Sequence, residues 1–171
     1  MIFPAVIITA EMLAFCNEDR LKNLTVNRTK ASPVDTLAGA LGEMVWAQYR
    51  YGDWHVHNLE DNKGKIDYTD VEIKTSAFPF NHKLHLLVRE DYAKKRKPRR
   101  YVLIIIDLPS PKASITAGVS AYVCGFATAR EVDTAPLKDF GSKFGKEGGY
   151  RCHYIGIDRL HPITEFDSAL L

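Results

Sequence analysis

Apolar and polar positions along this chain change period several times, and the changes mark its elements. Ala5–Thr9 reads as a short strand or extended lead-in. From Ala10 to about Leu24, Met12, Leu13, Cys16 and Leu24 give a rough helical face that Phe15 widens. After a polar connection over Asn27–Pro33, Asp35 or Thr36 is a fitting N-cap for a stronger helix running to about Arg50. Its apolar positions Leu37, Leu41, Met44, Val45 and Tyr49 fall at helical spacing.

The period then shortens to two. Asp53–Leu59 alternates as a strand, and Asp61, Asn62 and Gly64 make Glu60–Lys65 a turn. Ile66–Tyr68 and Val71–Thr75 form a tight hairpin, and Leu84, Leu86 and Val88 alternate as a further strand. Tyr101–Leu108 is almost wholly β-branched or apolar, which predicts a strand buried on both faces. Ala121–Phe126 and Tyr150–Ile157 add strands, with a short helix over Thr128–Val132 between them. Helix, helix, then mostly strands predicts an α/β (α+β) architecture: a mixed sheet flanked by helices, the helices concentrated in the N-terminal third.

Composition narrows the class. A chain of 171 residues is long enough for one domain with a sizeable core. Its 46% hydrophobic and 26% charged residues describe an ordinary soluble protein. The net charge of +2 means that attraction to nucleic acid must come from local clustering. Cys16, Cys124 and Cys152 are odd in number and scattered, which argues against a disulfide framework or thiolate zinc site and fits the cytoplasm. The apolar start, residues 1–10, lacks a basic lead and is cut short by Glu11, so it makes a poor signal peptide; no stretch reaches transmembrane length.

The stretch from Asp67 to Ser76 carries the candidate chemistry. Glu72 and Lys74 share one strand face, with Val71 and Ile73 on the other. A turn at Thr69-Asp70 sets Asp67 opposite Glu72. Cross-strand partners have Cβ atoms roughly 4.5–5.5 Å apart. Two carboxylates at that spacing repel unless a cation lies between them, and oxygen ligands suit Mg²⁺ or Mn²⁺. Alternation of this kind also arises where one strand face is simply wet. Asp61 and Asp70 compete for the place given to Asp67. Upstream, Gly39 and Gly42 each weaken their helix by about 1 kcal/mol relative to alanine, which calls for a close backbone approach there. Glu43 sits among them, with Ala40 and Ala47 flanking.

Gly42-Glu43 on a helix, a strand, then Asp67 and Glu72-Ile73-Lys74-Thr75-Ser76 resembles the PD-(D/E)XK nuclease superfamily, with Ile66-Asp67 where the family name has Pro-Asp. The likeness covers roughly Leu37–Ser76. The later chain is similar to small phage- and bacterium-associated members: a Leu-rich strand at Leu84–Val88, a charged loop, the Tyr101–Leu103 strand and Gly125-Phe126. The resemblance implies a restriction-endonuclease-like sheet and a Mg²⁺-dependent DNA endonuclease, Mn²⁺ substituting. Asp67, Glu72 and the Ile73 backbone carbonyl would bind the metal, Lys74 would assist the attacking water, and Glu43 would complete the site. It also implies a helix between the E-x-K strand and the next core strand, for which Ala77–Arg100 offers only a short candidate at about Glu90–Lys97.

On this reading residues 1–171 form one nuclease-like domain: a helical lead-in over 1–34, a motif core over 35–76 and a sheet extension over 77–171. The basic run Lys94, Lys95, Arg96, Lys97, Arg99 and Arg100 could grip phosphates or be a solvated loop. Cutting both strands of a duplex takes two sites, which points to a homodimer. His55 and His57, two apart, lack a third zinc ligand at suggestive spacing. The competing reading is a catalytically inactive nucleic-acid-binding or structural module on the same fold.

Overall fold

The run Tyr-Val-Leu-Ile-Ile-Ile becomes the strand on which two hydrophobic clusters meet. In the computed structural model, which describes residues 2–17, 33–57, 67–68, 70–95, 97–140 and 151–168, this is β4 (Arg100–Asp107). Its residues 101–106 are all buried. Val102, Ile104 and Ile106 face one cluster, while Tyr101, Leu103 and Ile105 face the other. A strand with no wet face has no use for alternation, which is why the apolar run is unbroken.

Among the described residues four strands form the first sheet, in the order β1 (Ala5–Ile7), β5 (Ser120–Thr128), β4 and β2 (Val71–Phe78). β4 pairs antiparallel with β5 and parallel with β2, so the sheet is mixed. The first cluster lies between this sheet and two helices, α1 (Ala10–Asn17) and α2 (Pro33–Tyr51). Trp46, Leu41 and Met44 of α2 are fully buried there. α2 begins two residues ahead of the earlier of its two expected N-caps, with Pro33 first, where a missing N–H costs nothing.

The connection from β2 to β4 leaves the first sheet. It forms β3 (His85–Arg89) and the six-residue helix α3 (Glu90–Lys95), the short helix expected before the next core strand. β3 pairs with β7 (Arg151–Gly156), which pairs with β6 (Leu137–Asp139), giving a second, antiparallel sheet. Leu86 and Val88 of β3 join the second cluster beneath β4. The helix expected at Thr128–Val132 is α4 (Ala129–Thr134). Its N-cap Thr128 and Glu131 satisfy each other's backbone N–H groups as a capping box. Among the described residues no helix is long and apolar enough to cross a membrane.

Two expectations need correction. The described part of Asp53–Leu59 is a 3₁₀ turn at Trp54–Val56, because the Asp53 carboxylate accepts from the His55 N–H at 3.0 Å and bends the chain. His55 and His57 therefore share no strand face; their rings lie against Trp54 at 4.0 Å and Phe15 at 4.7 Å. The single sheet expected over 77–171 is replaced by strands divided between two sheets. The second half of the first expected helix and the Glu60–Lys65 turn lie outside the described residues.

The C-terminal segment closes the first cluster. His161 and Phe126 exchange backbone hydrogen bonds of 2.8 and 3.0 Å beside Gly125. Gly125 has φ +139°, and a Cβ there would come within 2.6 Å of the His161 carbonyl oxygen, so only glycine fits. Phe166 then packs edge-on against Trp46 and Phe126, with ring centroids at 5.1 and 5.3 Å.

Candidate active site

β2 is the outer strand of its sheet, and its outward edge organises the cluster. Backbone groups of successive residues point alternately toward a paired strand and away from it. Val71 points outward, because it exchanges hydrogen bonds of 3.0 and 3.2 Å with Tyr68 across the turn. Ile73, two residues on, points the same way. Its N–H donates to Asp67 Oδ2 at 2.6 Å, and its carbonyl projects from the same edge.

The Tyr68–Val71 pair sets Asp67 opposite Glu72, as the spacing predicts. The Asp67 N–H donates to Glu72 Oε2 at 3.3 Å, and Lys74 Nζ donates to Glu72 Oε1 at 3.0 Å. The Glu72 side chain is only 4% exposed and that of Lys74 is 22% exposed, so the lysine is the member that reaches solvent.

Glu43 arrives from α2, on the opposite face of the sheet. Gly42 explains how. A Cβ at Gly42 would lie 1.8 Å from Thr75 Oγ1 and 2.8 Å from Thr75 Cβ, so glycine lets the helix rest directly on β2. Gly39 meets nothing within 4 Å, so the close approach belongs to Gly42 alone of the two. The next residue, Glu43, reaches the outward edge, where its side chain hydrogen-bonds that of Asp67. The Tyr68 hydroxyl donates to the Glu43 carbonyl at 3.1 Å and ties the hairpin to the helix.

Burial, then the charge of Glu72, pushes Asp67 up to about 6, against the opposing pull of Glu43, the Ile73 N–H and Lys74. A hydrogen bond between two carboxyl groups needs a proton on one of them. A cation can take the place of that proton. Asp67, Glu72 and the Ile73 carbonyl would present hard oxygen donors of the kind Mg²⁺ and Mn²⁺ accept. Among the described residues no three His, Cys, Asp or Glu side chains are grouped to hold a metal, so a site here depends on the main-chain oxygen.

The chain matches no protein-family model, no curated protein and no solved structure. The chemistry of the cluster is therefore the guide to function.

Of the predicted site residues, Glu43, Asp67, Glu72, Ile73 and Lys74 come together. Asp70 is exposed on the turn, where its carbonyl accepts from the Arg99 and Arg100 N–H groups at 3.0 and 3.2 Å. Asp61 and Arg96 lie outside the described residues. The basic run is divided. Lys94 pairs with Glu90 and Lys97 with Asp133, each at 3.4 Å, while Lys95 and Arg99 are exposed. Arg100 turns inward: its guanidinium lies 4.2 Å from the Phe166 ring centroid and donates to the Phe166 carbonyl. Tyr68 and Thr75 also build the site; sequence reasoning gave neither a role, naming Thr75 only as the residue that follows Lys74 in the motif. Thr75 was legible only in part, as the partner that a glycine in the facing helix requires.

Proposed function

We propose that this protein is a metal-dependent DNA endonuclease of PD-(D/E)XK type that hydrolyses phosphodiester bonds. The observation that carries the reading is the buried pairing of Asp67 with Glu72 on the outward edge of β2, with Lys74 bonded to Glu72. Buried like charges are costly unless compensated, and a divalent cation supplies compensation that Lys74 alone does not. β2 and β4 are joined through β3 and α3, and α3 falls where the resemblance implies a helix between the E-x-K strand and the next core strand, which supports the reading.

Asp67, Glu72 and the Ile73 carbonyl would hold Mg²⁺, or Mn²⁺ in its place. When bound, such an ion lowers the pKa of its water and polarises the phosphate. Glu43 orients Asp67 through their side-chain hydrogen bond. Lys74 holds the attacking water and stabilises charge on the phosphoryl oxygens.

The test is incubation of wild type and Lys74→Ala with supercoiled, linear and branched DNA in Mg²⁺, Mn²⁺ or EDTA. Metal-dependent cleavage by wild type that disappears in Lys74→Ala is the expected result. No cleavage by either, with equal DNA binding, would favour a catalytically inactive binding module.

A further inference from the structure

Lys74 has a second neighbour besides Glu72, and it comes from the crossover between β2 and β4. Tyr92, on α3, places its ring centroid 5.9 Å from Lys74 Nζ and 4.5 Å from the Arg89 guanidinium carbon. Both distances are within reach of the attraction between a cation and an aromatic quadrupole. Arg89 and the Tyr92 backbone are tied to one carboxylate. Asp91 accepts from Arg89 Nε at 3.0 Å and Nη2 at 2.8 Å, and its Oδ1 also accepts the Tyr92 N–H at 3.0 Å. Ala93, the next residue, is buried in the second cluster and fixes the orientation of the helix.

A lysine ammonium on a four-carbon stem has three rotatable donors, and one bond to Glu72 leaves it free to swing about that contact. A ring centroid 5.9 Å away restrains this freedom without taking a donor. We infer that Tyr92 is the positioning residue for Lys74, holding the ammonium against Glu72 in the geometry the reaction needs. The inference rests on the nuclease reading of the Glu72–Lys74 pair. It assigns α3 a purpose that the resemblance does not.

Two variants and two readouts test it. Reductive methylation with ¹³C gives each lysine its own resonance, and Lys74 is assigned by its loss in Lys74→Ala. In wild type the Lys74 resonance is displaced by the ring from those of exposed lysines. Tyr92→Phe keeps the displacement, and Tyr92→Leu abolishes it. A wild-type Lys74 resonance among the exposed lysines, or one that Tyr92→Leu leaves in place, overturns the positioning role whether or not the protein cuts DNA. In cleavage assays Tyr92→Leu lowers kcat roughly tenfold with KM unchanged, and Tyr92→Phe retains wild-type rates. A change confined to KM overturns the inference by making Tyr92 a substrate contact. Absence of cleavage by wild type overturns the nuclease reading and the catalytic purpose of the contact, while the resonance still decides the contact itself.

Discussion

Asp67 is bonded twice to the strand that carries Glu72: its N–H donates to Glu72 Oε2 at 3.3 Å, and its carboxylate accepts from the Ile73 N–H at 2.6 Å. These bonds hold two buried acids together against their mutual repulsion. The cost of that arrangement is set by pH and by whatever cation is present.

In metal-free protein the cost rises with pH. The folded-state pKa of Asp67, about 6, lies above its ordinary value of 3.8, so the folded chain binds this proton more tightly than the unfolded chain. The stability it contributes is fully present below about pH 4 and is lost as pH rises through about 6, on the order of 2–3 kcal/mol in all. Asp91 and Glu131, whose pKa values are lowered, act in the opposite sense, so the wild type has to be compared with Asp67→Asn. Denaturant midpoints in EDTA should show the advantage of wild type over Asp67→Asn shrinking between pH 4 and 7. An advantage that grows over that range would sink the idea.

The contact between α2 and β2 makes a prediction about two glycines in one helix. Gly42→Ala would drive a methyl group into Thr75, and should destabilise by about 1–3 kcal/mol through overpacking. Gly39→Ala meets open space and should stabilise by about 0.5–1 kcal/mol through helix propensity. Thermal melts of the two variants decide it. Equal effects would mean that the close approach of helix to strand has been misassigned.

Those glycines also show what the chain makes legible. The close neighbour expected at both glycines is present at Gly42 and absent at Gly39, while the Asp67–Glu72 register follows from counting across a two-residue turn. β4 is equally plain, because a strand buried on both faces leaves an unbroken apolar run. The second sheet is not legible. Leu137, Lys138 and Asp139 of β6 are all exposed and carry no periodicity, and the pairing of β3 with β7 joins segments more than sixty residues apart. Local patterns specify which face a residue presents, and long-range packing chooses the sheet it enters. The same limit hides Tyr92, whose relation to Lys74 is made only by the crossover. At Trp54–Val56 the alternation is present, but a local side-chain bond from Asp53 outcompetes extension.

The basic run separates into Arg100, which packs inward, and residues that are exposed. Arg100 lies over the Phe166 ring and bonds its carbonyl, so Arg100→Ala should cost about 1–2 kcal/mol of stability, largely through lost packing. Lys95 is exposed on α3, and Lys95→Ala should leave stability within about 0.5 kcal/mol of wild type. If it contacts a phosphate, the salt dependence of DNA affinity, as a log–log slope, should fall by about 1. Binding titrations at several salt concentrations, beside melts of both variants, would expose the opposite assignment.

Metal should relieve the strain that Asp67 and Glu72 impose. A ligand that binds only the folded state at about 100 times its Kd stabilises by about 2.7 kcal/mol. Mn²⁺ or Mg²⁺ should therefore raise the melting temperature of wild type and leave that of Asp67→Asn nearly unchanged. The cation competes with protonation of Asp67, so the shift should be larger at pH 7.5 than at pH 5, with proton release on binding at the lower pH. Lys74→Ala separates metal binding from catalysis. Loss of its ammonium removes a competing positive charge beside Glu72, so metal affinity should be retained or rise while cleavage disappears. A metal-induced shift that persists in Asp67→Asn would place the ion elsewhere. No shift in any variant would leave the buried acid pair a structural feature, compensated by Lys74 and protonation of Asp67 alone.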